Sequence, residues 1–307
     1  MTLNLILNSS NVVAGSNNCT YKYNFLQPTE IFEDAQMTIS NVVLPYSWFN
    51  ISALNNNNKF IIYFPDSTST GSAYNITLKD GWYSVTDINA ALQQFCIINS
   101  LYLINAEGKY VYYLTLLYNS TFYSVQSIAQ FVPTSLPVGW TQPAGWHGYN
   151  ATLLTPILQV TSTGFGDIIG FETGLFPSSN AVETSTLSTK TPQGSIVNSL
   201  LFRCSLVNNE CSFPTDVLDT MPIMSSFGTN LNYQPPQLKY VDLTSGIFQS
   251  FTITICDQNL NPMYILDNNV CISILLKNKG KIISGNINAE EGRSQKLVQR
   301  LAVKLEE

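Results

Sequence analysis

The sequence predicts an all-β protein, a sandwich or jelly roll, on three observations. Short runs of β-branched and aromatic residues recur along most of the chain, broken by clusters of Asn, Gly, Pro and Ser. Before the last thirty or so residues only one stretch carries helical spacing, so strands do not alternate with helices as a βαβ fold requires. The 307 residues are 45% hydrophobic and 12% aromatic, enough for a buried core in one large all-β domain or in two smaller ones.

Taken in order, residues 21–25 (YKYNF) alternate aromatic and polar side chains, and residues 37–44 (MTISNVVL) form a β-branched run that Pro45 ends. Four asparagines at 55–58 mark a loop before the strand 59–64 (KFIIYF), and residues 74–78 (YNITL) run into a turn at Asp80-Gly81. Between 84 and 99 the pattern changes. Ile88, Ala91, Leu92, Phe95 and Ile98 fall on one helical face, and Ser84 followed by Asp87 makes a capping box. This helix is expected to pack on a sheet, docking to a membrane or partner being the alternative. Further strands are expected at 109–118, 121–131, 155–161, 195–207, 238–243, 247–256 and 270–276. Residues 278–307 begin as a basic, Gly-containing linker. They continue as an amphipathic helix with Leu297, Val298, Leu301, Ala302 and Leu305 on one face, a docking element or a helix folded back on the body.

Composition narrows the function. Charged residues are 11% of the chain, against about 25% in an average soluble protein. Asparagine, at 31 residues, supplies much of the polar surface instead. Residues 1–276 carry a net charge of −9 and residues 277–307 a net charge of +3. An acidic body argues against a broad nucleic-acid face and leaves only the basic tail for such a contact. No apolar run is long enough to span a bilayer. The first residues lack the basic region of a signal peptide, so a reducing compartment is expected, with all six cysteines as free thiols. They form no CxxC pair, which argues against a zinc site.

The single histidine, His147, removes most His-based catalysis and His-metal chemistry. The glycine cluster from Gly164 through Gly166 to Gly170 has the wrong spacing for a dinucleotide loop, carries Asp167 inside it, and is expected to be a tight turn. Asp257, Asn259 and Asn261 begin like a calcium loop, but Pro262 stands where glycine is needed, so an Asx-rich turn is expected. Six Asn-x-Ser/Thr sequons arise from composition. No enzyme activity, cofactor or metal is expected.

Three stretches carry a resemblance. One runs from Val42 to Asn50 (VVLPYSWFN) and resumes from Asp80 to Leu92 (DGWYSVTDINAAL). The second is Phe165 to Phe171 (FGDIIGF). The third joins Leu206 to Asn209, Asp216 to Leu218, Ser226 to Gly228, Asp257 to Pro262 and Leu266 to Asn269. In this order the chain, from residue 1 to about 277, resembles the penton (minor capsid) proteins of virophages and polinton-like viruses. The resemblance implies a single jelly roll with an inserted β-rich domain that contains a short helix. Its jelly-roll strands would come from 1–65 and 194–277 and the insertion from 66–193. It further implies a structural virion protein, assembled in the host cytoplasm, that forms homopentamers at capsid vertices and contacts the major capsid protein.

On that reading Tyr46 and Trp48, after the strand-ending Pro45, are candidate subunit-interface anchors, the alternative being that both pack inside the sandwich. Leu297, Val298, Leu301 and Leu305 are candidates for docking on a neighbouring capsid subunit. A second reading is a jelly-roll host-attachment or glycan-binding protein on the virion surface that meets a host receptor. The aromatic loop 140–149 (WTQPAGWHGY) would then be its recognition surface, through Trp140, Trp146 and His147.

Overall fold

The computed structural model describes residues 2–68 and 71–277. The expected helix carrying Leu297, Val298, Leu301 and Leu305 lies outside the described residues. The described chain divides into two compact units, one built from residues up to Trp48 and from Val197 onward, the other from Phe49–Ile196.

The chain enters the first unit through β1 (Thr2–Asn8), β2 (Thr20–Ile31) and β3 (Gln36–Pro45). The second unit follows with β4 (Lys59–Phe64), β5 (Ser72–Thr77), helix α1 (Val85–Ile98), β6 (Leu103–Ile104), β7 (Tyr110–Val111), β8 (Leu114–Asn119) and β9 (Ser124–Ala129). It closes with β10 (Ile157–Val160), helix α2 (Thr163–Ile169), β11 (Gly174–Phe176) and β12 (Thr184–Leu187). The chain then returns to the first unit as β13 (Ser199–Cys204), β14 (Val217–Pro222), β15 (Asn230–Tyr233), β16 (Val241–Asp242), β17 (Gly246–Asp257) and β18 (Cys271–Lys277).

The first unit is two antiparallel sheets, ordered β1-β18-β3-β15, with β16 added to β3, and β14-β13-β17-β2. Counting its eight longer strands in chain order, one sheet is 1-8-3-6 and the other 2-7-4-5. That order is a jelly roll. Among these eight strands only the step from β13 to β14 stays within one sheet; every other connection between them crosses over. Tight turns therefore cannot set most registers, and alternate burial sets them instead. Along β18 the buried residues are Ile272, Ile274 and Leu276, and along β17 Phe251, Ile253 and Ile255. Cys204 on β13 and Met37 on β3 bring their sulfurs to 3.9 Å, joining the inward faces of the two sheets.

The second unit sits between β3 and β13. It holds a sheet ordered β11-β10-β4-β5, another ordered β12-β9-β8, and both helices around one apolar core. Phe60 and Phe165 stack inside it, with ring centroids 4.7 Å apart and planes 6° from parallel. Helix α1 starts as expected: Ser84 Oγ accepts from the Asp87 N–H, and the Asp87 carboxylate accepts from the Ser84 N–H. Its buried face is Ile88, Leu92 and Cys96, with Ala91 and Phe95 half-buried. Ile98, expected on that face, is 71% exposed because, six residues on, it lies about 120° round the helix from Leu92.

Three expectations are corrected. The strand over 59–64 pairs with β5 and β10, so the chain leaves the first unit after Trp48 and not after residue 65. The return falls at Val197 and not at 194. The glycine cluster at 164–170 is the helix α2, not a turn. Ser162 caps it by accepting from the Phe165 N–H at 3.3 Å, and Gly170 ends it at φ 75°, a left-handed conformation open to glycine.

Candidate functional site

Four stretches of the second unit build one cleft of about 300 Å³, the first bracing it without lining it and the other three lining it, with Trp82, Tyr83, Tyr118 and Tyr123 as its walls. The first stretch is the run of asparagines after Phe49, a knot of side-chain-to-backbone bonds. Asn50 is 2% exposed. Its amide donates to the carbonyls of Tyr83 and Gly194, both at 2.8 Å, and its oxygen accepts from the Tyr83 N–H at 2.8 Å. Asn57 donates to the Asn50 carbonyl at 2.7 Å and accepts from the Ser52 N–H at 2.9 Å. These bonds satisfy a buried backbone that no sheet reaches.

The second stretch is Asp80 to Thr86. Ile51 and Gly81 exchange backbone hydrogen bonds at 3.1 and 2.9 Å, and Asp80 accepts from the Ala53 N–H at 2.8 Å. Helix α2 is the third stretch and presents Ile168 to the cleft. The Gly170 carbonyl accepts from the Lys190 N–H at 3.0 Å and that of Asp167 from the Gln193 N–H at 2.8 Å, which ties residues 190–194 along the helix. The fourth is the tip of the β8–β9 hairpin. Tyr118 and Tyr123 meet edge to face there, at 6.3 Å and 80°, and remain 47% and 61% exposed.

The side chains lining the cleft carry no charge. Hydrogen bonds from the Ser84 hydroxyl and N–H hold the Asp87 carboxyl below its ordinary range, so it stays ionised at the cap. Burial, reinforced by Asp80 and Asp87, raises the Tyr83 phenol and keeps it neutral.

The residues expected to act lie elsewhere. Tyr46 and Trp48 are each 3% exposed, with rings 4.3 Å apart and Phe227 edge-on to Tyr46 at 5.7 Å. Both pack inside the first unit, the alternative reading of these two side chains. Trp146 is 7% exposed and belongs to the core of the second unit, against Phe64 at 5.8 Å and Tyr149 at 5.5 Å. Gly148 permits that packing: a Cβ there would stand 2.6 Å from the Trp146 ring. Trp140 is half-buried against the same core, so of the three expected recognition residues only His147 is exposed.

Sequence reasoning quoted the stretches that hold Trp82, Tyr83 and Ile168 without placing them together, and it passed over Tyr118 and Tyr123. The signal for those two was a pair of tyrosines flanking a four-residue turn.

Four of the six thiols are poor nucleophiles. Cys19, Cys96, Cys204 and Cys256 are buried, and burial raises all four, Cys96 and Cys204 to about 12. Among the described residues no three His, Cys, Asp or Glu side chains are grouped to hold a metal ion. No described helix is long and apolar enough to cross a membrane.

A distinct surface lies on the first unit. Along β1, β18, β3 and β15 the one charged residue is Lys277, at the end of β18. Alternation turns Asn4, Ile6, Ser273, Leu275, Val43, Asn230 and Asn232 away from the core. The other sheet differs: its strands carry Lys22, Glu30, Arg203, Asp219 and Asp257, with Arg203 paired to Asp216 at 2.8 Å.

These features define the class: an all-β jelly roll with a second, β-rich unit inserted between its third and fourth strands. No family model and no curated protein matches the chain. Among solved structures, the crystal structure of SeMet-labeled mavirus penton protein is similar over 90% of this chain and 98% of that one, at 12% identity and a TM-score of 0.44. No residue role is carried across from it.

Proposed function

We propose that the chain is a structural virion protein that closes into homopentamers at the vertices of an icosahedral capsid and contacts the major capsid protein. The observation that carries this reading is the strand order of the first unit, 1-8-3-6 facing 2-7-4-5. Jelly rolls of this kind serve as viral capsid and lectin domains and as cupins. A cupin-like metal enzyme would need clustered ligands, and the chain has one histidine. The sequence motifs independently favour the capsid side.

The charge-poor sheet face, whose charges are Lys277 at the end of β18 and Asp242 on β16, supports the same reading. A fivefold ring is held by a head-to-tail contact between two different patches of the same protein. Permanent contacts of this type bury on the order of 2,000 Å² or more and are relatively apolar. A face of amides, hydroxyls and short apolar chains enters such a contact without desolvating charge.

Native mass spectrometry of the purified chain tests the proposal. A species near five times 34.1 kDa is expected. Trimers or dimers at all concentrations would overturn it. Truncation after Lys277 then tests the tail separately: persistence of the ring assigns residues 278–307 to contacts outside the pentamer.

A further inference from the structure

We infer that the aromatic cleft of the second unit is a binding site for a neutral carbohydrate. Four aromatic side chains wall a space of about 300 Å³ that has no charged group in its lining. The absence of charge disfavours phosphates, nucleotides and ionic peptides, which need compensating side chains. What suits the lining is a ligand with apolar faces and a hydroxyl rim. A pyranose ring has both: its C–H faces stack on tyrosine and tryptophan, and its hydroxyls take hydrogen bonds at the edges.

The polar groups fit that ligand. Thr86, Tyr118 and Tyr123 line the cleft, and each brings a hydroxyl that a sugar can bond. The volume lies at the small end for ligand pockets, room for one substituted sugar ring rather than an extended proline-rich peptide. The walls are also braced. Asn50 fixes Tyr83 to Gly194 through three hydrogen bonds from its buried amide, and the strapping of residues 190–194 to α2 holds Ile168. Such bracing preorganises a site, because little conformational freedom is lost when the ligand enters.

Tyr123 adds an independent sign. Its φ is 48°, in the left-handed region that a bulky side chain rarely occupies. Glycine or asparagine is the ordinary solution at such a turn. A tyrosine there gives up some stability to place an aromatic ring at the rim.

The test is ligand-observed saturation-transfer NMR on the full chain. The probes are methyl β-D-galactopyranoside, methyl α-D-mannopyranoside and methyl N-acetyl-β-D-glucosaminide, with acetyl-pentaproline amide as the competing chemistry. At least one glycoside is expected to receive saturation, strongest on the C–H protons of one ring face, with millimolar affinity. Tyr118→Ala and Tyr123→Gly are each expected to weaken binding about tenfold or more. Tyr123→Gly is chosen because it suits the left-handed backbone, so melting at an unchanged or higher temperature separates lost binding from lost folding. Saturation of no glycoside, binding indifferent to both substitutions, or a preference for the proline peptide would each overturn the inference. The pentamer proposal stands or falls on mass, so the two results are read separately.

Discussion

Asn50 shows how much a single side chain settles in a charge-poor protein. It is 2% exposed, and it makes three hydrogen bonds to backbone groups of Tyr83 and Gly194. Asn50→Ala removes the partner of the Tyr83 N–H and of the Tyr83 and Gly194 carbonyls and is expected to cost roughly 1–3 kcal/mol, read from denaturant unfolding of the intact chain. Gly166 is constrained differently: a Cβ there would stand 2.3 Å from the Phe171 carbonyl oxygen. Gly166→Ala must push backbone aside and is expected to destabilise by about 1–3 kcal/mol, measurable in the same experiment. Asp219, 8% exposed on β14, gives a pH signature. Burial raises its carboxyl above the ordinary value, partly offset by the Thr220 N–H, the Tyr233 hydroxyl and Lys239. The folded state then holds the proton more tightly than the unfolded state. The stability this lends is complete below the ordinary carboxylate range and is lost as pH rises through the folded value. Thermal melts between pH 3 and 7 should show that slope in the parent chain and lose it in Asp219→Asn.

At the level of elements, α1 was the most legible feature and β1 among the least. The helix announced itself through Ser84, Asp87 and a 3.6-residue period, all local signals. Ser84→Ala removes one half of its capping box and is expected to cost about 1 kcal/mol, seen as an earlier midpoint in denaturant. The strand Thr2–Asn8 carried no turn signal on its N-terminal side, and the expected strands did not include it. The edge strands β14 and β15 were also outside the expected set. Each has only one long-strand neighbour in its sheet, so half of its backbone pairing and much of its burial is missing from the local pattern. The 164–170 cluster was misread because glycine is a poor helix former. What overrides propensity there is the burial of Phe165, Ile168 and Ile169, with a close backbone approach at Gly166 that only glycine allows.

For the whole molecule the charge-poor sheet of the first unit is the candidate ring contact of the proposed pentamer. If that face enters the ring contact, Ile6→Lys on β1 or Asn232→Lys on β15 should abolish the pentameric species in native mass spectrometry. Both positions are exposed, so the melting temperature of the protomer should stay within a degree or two of the parent. Rings that persist in both variants would move the contact to another face.

The sequence by itself determined the all-β class, the capped helix, the Asx turn at Asp257 and the shortage of charge. Each follows from local pattern or from composition, which survive without a third dimension. The Asp257 turn is a clear case: its carboxylate accepts from the N–H groups of Asn259 and Asn261 at 2.8 Å, a bond set spanning five residues. Tertiary structure alone decided which aromatics are core and which are surface. Tyr46, Trp48 and Trp146 read as surface candidates and are buried, whereas Tyr118 and Tyr123 drew no notice and are exposed. Hydrophobic burial is non-directional, so an aromatic beside a loop satisfies it equally well facing inward or outward. The choice is made by partners far along the chain, as Phe64 makes it for Trp146 and Phe227 for Tyr46.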